Sequence, residues 1–321
     1  MKAKVTKVGQ RSDHGVEDWP VLRVVDWTDT RDTLHMWTQV VGKIRLASAP
    51  MINHWWQVVL YVSARGLTTS AIPHGRRLFD IEFDFCDHQL RIRSSDGGQR
   101  SVALAPKPVA QFYAEITAAL RDLDLDVAIR STPVEVKRVV PFEDDHEHAS
   151  YDPDAAHRFW RQLVQAHRVL SEFRSRFIGK VSPVHFFWGS FDMALTRFSG
   201  RTAPRHPGGA PNVGDWVMVE GYSHELSSCG FWPGGGDEGL FYAYAYPEPD
   251  GFRDHPIRPD AGYYSSEAGQ FLLPYEAVRT APDPDHTLLE FLQTTYEAAA
   301  EHGGWDRDAL EDDPARRASP R

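Results

Sequence analysis

Two stretches of this chain repeat one another, and any fold must accommodate both. Trp37-Thr38-Gln39-Val40-Val41 is followed by Arg45 and Ser48, and Trp160-Arg161-Gln162-Leu163-Val164 by Arg168 and Ser171 at the same spacing. Trp, Gln, Val, Arg and Ser are identical in the two copies, while Val40/Leu163 and Leu46/Val169 are close replacements. Both stretches predict helices. Leu34, Trp37, Val41 and Ile44 share one helical face in the first, as do Trp160, Leu163, His167 and Leu170 in the second. Each helix is followed by an aromatic-rich strand pattern with a His near its start and an Arg near its end: His54-Trp55-Trp56 up to Arg65, and His185-Phe186-Phe187-Trp188 up to Arg197. The second copy needs a longer loop to keep this alignment. Coincidence between two amphipathic helices explains the shared letters alone, whereas duplication also explains the shared order of elements.

The expected fold class is therefore α+β, with two tandem similar units. Each unit is a helix, then mainly antiparallel strands, then a closing helix, and the two pack about a pseudo-twofold axis with a ligand cleft between them. The expected boundaries are an irregular lead-in over 1–30, a first unit over 31–141, an acidic and His-containing linker over 142–152, a second unit over 153–305 and a disordered tail over 306–321. In the first unit the pattern predicts a helix over 30–46, strands over 54–64, 78–86 and 89–94, a helix over 108–122 and one or two strands over 127–140. Phe79, Ile81, Phe83 and Phe85 alternate with Asp80, Glu82 and Asp84. A turn at Asp87-His88 sets Asp84 opposite Arg91 and Glu82 opposite Arg93, so the acidic row reads as cross-strand charge pairing. Asp152-Pro153 and Asp283-Pro284 each predict an Asp N-cap with Pro at the first helical position. Between those helices, strands are expected over 184–198, 216–231, 240–246 and 270–275.

Composition narrows the class of protein. Over 321 residues, 35 Lys and Arg stand against 45 Asp and Glu, a net charge of −10 that argues against a nucleic-acid partner. No apolar run is long enough for a membrane span, and the start MKAKVTKVGQ has no apolar stretch behind its positive charge, so no secretory signal is expected. Two cysteines, Cys86 and Cys229, fit a reducing cytoplasm rather than a disulfide scaffold. The expected partner is a small-molecule ligand, and the oligomeric state stays open.

Standard catalytic motifs are missing: there is no GKS or GKT loop, no GxGxxG, no HExxH, no GxSxG and no CxxC. The unusual strings are His54-Trp55-Trp56, His185 to Asp192 (HFFWGSFD), Ser223-His224-Glu225, Phe231 to Gly236 (FWPGGG) and Phe241 to Pro249 (FYAYAYPEP). From about Trp19 to Trp305, the chain resembles on these strings a bacterial family of unknown function, the one numbered 5996. That resemblance carries no activity and no catalytic residues with it.

The residues themselves offer one working pocket. His185, His224 and Glu225 are the expected catalytic groups of a small-molecule enzyme, and His54, His185, Asp192 and His224 are the candidate ligands of a single divalent metal. Trp55, Trp188, Trp232, Tyr242 and Tyr244 are the expected aromatic walls, the tyrosines sharing one strand face with Tyr246. Arg65 or Arg197 would hold an anionic group by its forked donors. Spacing weighs against the metal. In a regular strand His185 and Asp192 face opposite ways unless Gly189 makes a bulge, and His224 and Glu225 also diverge. Taken singly, each His reads better as a hydrogen-bonded structural residue. Ser223-His224-Glu225 cannot form a triad from consecutive positions, and Cys229 reads as a small buried hydrophobe. The Gly234–Gly236 turn reads as a hairpin loop, and His146 and His148 as part of a solvated linker. The alternative function is a non-catalytic binding module for an aromatic or apolar metabolite.

Overall fold

The computed structural model describes residues 18–312. Among the described residues, seven α-helices and two six-stranded antiparallel sheets make an α+β protein. Helix α1 spans Val24–Ser48, and Ala49-Pro50 ends it as the pattern predicts, because the residue before a proline is driven out of the helical region. It starts ahead of the expected Thr30. The run from Met36 to Arg45 is buried on every side, so α1 is a central helix rather than a half-wet one.

The first sheet comprises β1 (Tyr61–Val62), β2 (Gly66–Thr68), β3 (Ile72–His74), β4 (Arg77–Asp84), β5 (Gln89–Ser94) and β6 (Gln99–Ala103). It runs as the meander β1-β2-β4-β5-β6, with β3 also paired to β4. Helix α2 (Val109–Arg121) follows, burying Phe112, Ile116 and Leu120. Helix α3 (Pro153–Ser175) opens the second half, and the Asp152 carboxylate accepts the amides of Asp154 and Ala155, the predicted cap. The second sheet holds β7 (His185–Phe187), β8 (Asp192–Thr202), β9 (His224–Trp232), β10 (Leu240–Tyr246), β11 (Tyr263–Ser265) and β12 (Gln270–Pro274), in the order β11-β12-β10-β9-β8-β7. Helix α4 (Asp215–Gly221) lies between β8 and β9, and α5 (Tyr275–Arg279), α6 (Pro284–His302) and α7 (Arg307–Leu310) complete the fold. Asp283 caps α6 through the His286 amide, again as predicted.

The edges of the two sheets meet. Leu60 and Phe186 exchange both backbone hydrogen bonds, at 2.9 and 2.8 Å, so the chain just before β1 runs antiparallel to β7. Helices α3 and α6 cover one face of the second sheet, where Arg197 of β8 lies 3.5 Å from the centre of the Phe173 ring and 4.4 Å from that of Tyr296.

Several expectations need correction. Residues 127–140 form no strand, because Val134 and Glu135 spend their backbone groups on a side chain and on a distant loop. Residues 215–221 are helix rather than strand. The span 184–198 is a hairpin, not one strand. Within the linker one side chain is not solvated: the buried Asp145 takes the amides of Glu147 and His148 on one oxygen and His148 Nδ1, at 2.7 Å, on the other. Within the expected tail, 307–310 are helical and Glu311 bridges to Phe177. Positions 313–321 and most of the lead-in, 1–17, lie outside the described residues.

Candidate functional site

The face of the second sheet turned away from α3 and α6 carries the chemistry. Register puts Phe187 opposite Asp192, and His185 and Tyr242 in one row with Ala194 and Gly230. Thr196, Ser228 and Tyr244 form the next row, and Phe198, Leu226 and Tyr246 the one after. The hairpin turn at 188–191 therefore brings His185 and Asp192 to the same face, against the single-strand expectation.

Asp192 is the buried centre of this face. Its carboxylate accepts the Ser190 and Tyr242 hydroxyls in two very short hydrogen bonds. Tyr242 reaches it by lying across β9, and Gly230 makes that possible: a Cβ there would fall 2.5 Å from the Tyr242 hydroxyl and 1.9 Å from the Met193 carbonyl oxygen. Beside it, the Tyr222 and Tyr244 hydroxyls bond at 2.9 Å, and the Thr196 and Ser228 hydroxyls do the same at 2.9 Å. Burial pushes Asp192 above its ordinary carboxylate pKa, against the pull of its two hydroxyl donors. Burial also raises Tyr242 and Tyr222 well above the usual phenol value.

Sequence reasoning missed the second carboxyl, Glu135. Its backbone sits at φ 55°, in the left-handed region that a residue with a Cβ rarely adopts. Three contacts hold it there. Val134 N–H donates to Gln39 Oε1 at 2.9 Å, Gln39 Nε2 donates to the Val134 carbonyl at 2.8 Å, and Glu135 N–H donates to the Pro211 carbonyl at 2.8 Å. One turn earlier on α1, His35 Nε2 bonds the Gly189 carbonyl at 2.8 Å. Helix α1 thus fixes both walls of one slot, and the Glu135 carboxyl lies against Gly189, where an added Cβ would fall 2.1 Å from Oε1. Glu135 as a residue is exposed, with its carboxyl end lying against the Gly189 backbone. Burial of that end, helped by the nearby Asp192 charge, pushes its pKa up to about 7.

The remaining predicted residues do not gather here. His185 is buried among Trp56, Tyr61 and Phe187, its Nε2 without a partner among the described residues. Burial, then the charges of Arg45 and Arg174, drives its pKa down to about 3, so it stays a neutral packed ring. His224 bonds Ser223 Oγ at 3.0 Å and stands edge-on to His54 at 5.6 Å. Glu225 points elsewhere, paired with Arg201 at 2.6 Å and bonded by Ser199 Oγ at 2.9 Å. The expected trio of His185, His224 and Glu225 is therefore split three ways. His54, His185, Asp192 and His224 do not form a ligand set either, and among the described residues no three His, Cys, Asp or Glu side chains are placed to hold a metal.

The expected anion holders are both occupied. Arg65 pairs with Asp84 at 2.7 Å and Asp87 at 2.9 Å, and Arg197 is sealed in the core, donating to the Phe173 carbonyl. Of the aromatic walls, Trp188 is packing, its indole seated on Gly42 and bonded to the Val58 carbonyl at 2.7 Å. Trp55 bonds the Val217 carbonyl at 3.0 Å, and Trp232 lies over Gly234 and Gly235 at a strand end. Tyr242 and Tyr244 alone line the acidic centre. Cys229 is a core residue, its thiol pushed up to about 12 by burial.

A fold in which two sheets meet at an edge, with a buried aspartate and a tyrosine row on the face of one turned away from its helices, is the class these observations define. The chain belongs to the family of unknown function DUF5996, whose model matches residues 19–312. No curated protein and no solved structure matches it. No helix among the described residues is long and apolar enough to cross a membrane.

Proposed function

We propose that the protein is a small-molecule enzyme working by general acid–base catalysis, with Glu135 as the proton-transferring group and Asp192 as the second carboxyl. One observation carries this reading: a solvent-reachable glutamate is held in a strained backbone by Gln39 and Pro211, with its carboxyl at about 7 beside a buried aspartate. Strain of this kind costs about 1–3 kcal/mol and persists where the surrounding structure imposes it, commonly at functional sites. A carboxyl that titrates near neutrality both donates and accepts protons at working pH. The Tyr222, Tyr242 and Tyr244 hydroxyls suit a hydroxylated, sugar-like substrate, which they would meet with ring faces and hydrogen bonds together. No step in this chemistry is assigned to His185, His224 or Glu225.

The natural first probe is a panel of nitrophenyl glycosides assayed between about pH 5 and pH 8, the range over which such a carboxyl changes state. Turnover should fall about 10²–10⁴-fold in Glu135→Gln, the usual contribution of a positioned acid or base. Binding without turnover, unaffected by Glu135→Gln, would instead favour the binding-module reading.

We also read the two halves as duplicated units about a pseudo-twofold axis. The order helix, antiparallel meander, helix recurs as α1, β1–β6, α2 and as α3, β7–β12, α6, and the first strand region of one half pairs with that of the other. A reducing, cytoplasmic setting is our reading of the two unpaired cysteines.

A further inference from the structure

We propose that Lys180 is a reactive amine that condenses with small carbonyl compounds to form an imine, with His54 as the base that takes its protons. This site is separate from the Glu135 slot and does not depend on it. Lys180 Nζ lies 2.7 Å from His54 Nε2. The other ring nitrogen, Nδ1, is 2.9 Å from the Gly221 carbonyl, which accepts a proton from it. That bond fixes the tautomer and leaves the Nε2 lone pair turned to the amine.

The arrangement is held at backbone expense. His54 and Trp55 occupy consecutive left-handed positions, at φ 59° and 61°, a conformation that the bulky Trp55 rarely adopts. The His54 amide is tied to Glu220 Oε1 at 2.9 Å, while Glu220 Oε2 is buried with no partner among the described residues. The lysine is anchored as well, since the Phe198 amide donates to its carbonyl at 3.0 Å. Its amine stands over two aromatic rings, 5.6 Å from the centre of Trp56 and 5.0 Å from that of Phe198. Burial lowers its affinity for a proton, with the Glu220 charge opposing. An amine over apolar rings with a base at hydrogen-bond distance has the parts of an activated lysine nucleophile.

The chemistry balances without an added oxidant or reductant. The neutral amine adds to the carbonyl carbon and a C–N bond forms. Its two N–H protons pass in turn through His54 to the carbonyl oxygen, which leaves as water, and a C=N bond replaces C=O. Reduction with cyanoborohydride then makes the product permanent for detection.

The test uses the full chain with acetaldehyde and cyanoborohydride, read by peptide mass mapping. Lys137, an exposed lysine, serves as the internal reference. Lys180 should be alkylated at least about ten-fold faster than Lys137, as expected of an activated amine against a solvated one. His54→Asn, which tolerates a left-handed backbone, should bring the two rates together. Lys180→Arg should abolish the fast modification without lowering the melting temperature. Equal rates at Lys180 and Lys137 in the wild-type chain would overturn the proposal whatever the variants do. So would an unchanged ratio in a folded His54→Asn.

Discussion

The two sheets handle buried carboxylates in opposite ways. On the first, Asp84 is fully buried and four donors serve it: Arg65 Nε at 2.7 Å, Arg91 Nε at 2.9 Å, and the amides of Cys86 and Asp87 at 3.0 and 2.9 Å. Burial alone would raise its pKa, but these donors hold it well below the ordinary carboxylate range. On the second sheet, Asp192 is buried as well but has hydroxyls for partners, and its charge acts on Glu135. Both Asp192 and Glu135 are pushed upward. The first arrangement neutralises its carboxylate with arginines; the second leaves its carboxyls to hydroxyls and backbone. The two sheets thus carry a closed charge network in one half and two carboxyls shifted upward in the other.

The largest expected effect breaks the first arrangement. Asp84→Asn removes the buried charge that Arg65 and Arg91 share, leaving them the exposed Asp87, and should cost about 2–4 kcal/mol, the order expected for removing one side of a buried charged network. Asp192→Asn should cost less than half of that, because its partners are the Ser190 and Tyr242 hydroxyls and not guanidinium charges. Urea unfolding of the two variants side by side measures the contrast, and equal losses would remove it. Next, Tyr242→Phe deletes the hydroxyl that reaches Asp192 across Gly230, with an expected loss of about 1–2 kcal/mol for a buried hydrogen bond.

Stability against pH should separate the halves by sign. Asp84 has a depressed folded pKa, so its stabilisation is full above the unfolded value of 3.8 and is lost as pH falls below it. Glu135 has a raised one, so its contribution is complete below the unfolded value of 4.5 and is lost as pH rises toward about 7. Across that window the pH slope of the melting temperature should be more positive in Glu135→Gln than in wild type, because the variant loses the Glu135 decline and keeps the opposing rise from the neutral buried His185; an unchanged slope in the variant would place the effect on another group. The smallest change in stability is expected from Gly189→Ala. The new methyl meets the flexible end of Glu135 first and should displace that carboxyl, lowering turnover while leaving the fold intact.

Local signals in the sequence were reliable where local physics decides the outcome. The Asp-Pro starts of α3 and α6 are found with their caps made, and Tyr242, Tyr244 and Tyr246 share a face as alternation requires. The acidic row of β4 does meet arginines, although the true register sets Glu82 opposite Arg91 and Asp84 opposite Gln89. A turn two residues longer than expected shifts the pairs, and the long arginines reach diagonally to the predicted partners. Long-range geometry was the part that could not be read. Glu135 is made special by Gln39, 95 positions away from Val134 in the chain, and by Pro211, and no local pattern marks it. Arg197 looks like a strand-end cation, yet it is enclosed by Phe173, Phe177 and Tyr296, which come from outside its own sheet.

The central claim is that Glu135 exchanges its proton near neutrality. Carbon-13 NMR of glutamate-labelled protein, titrated with acid and base, tests this directly, with Glu135→Gln identifying the signal. The account predicts one glutamate carboxyl with a midpoint close to the value of about 7, and its disappearance in the variant. If every glutamate titrated near the ordinary value of about 4.3, the claim would be contradicted and the slot would be a structural clasp.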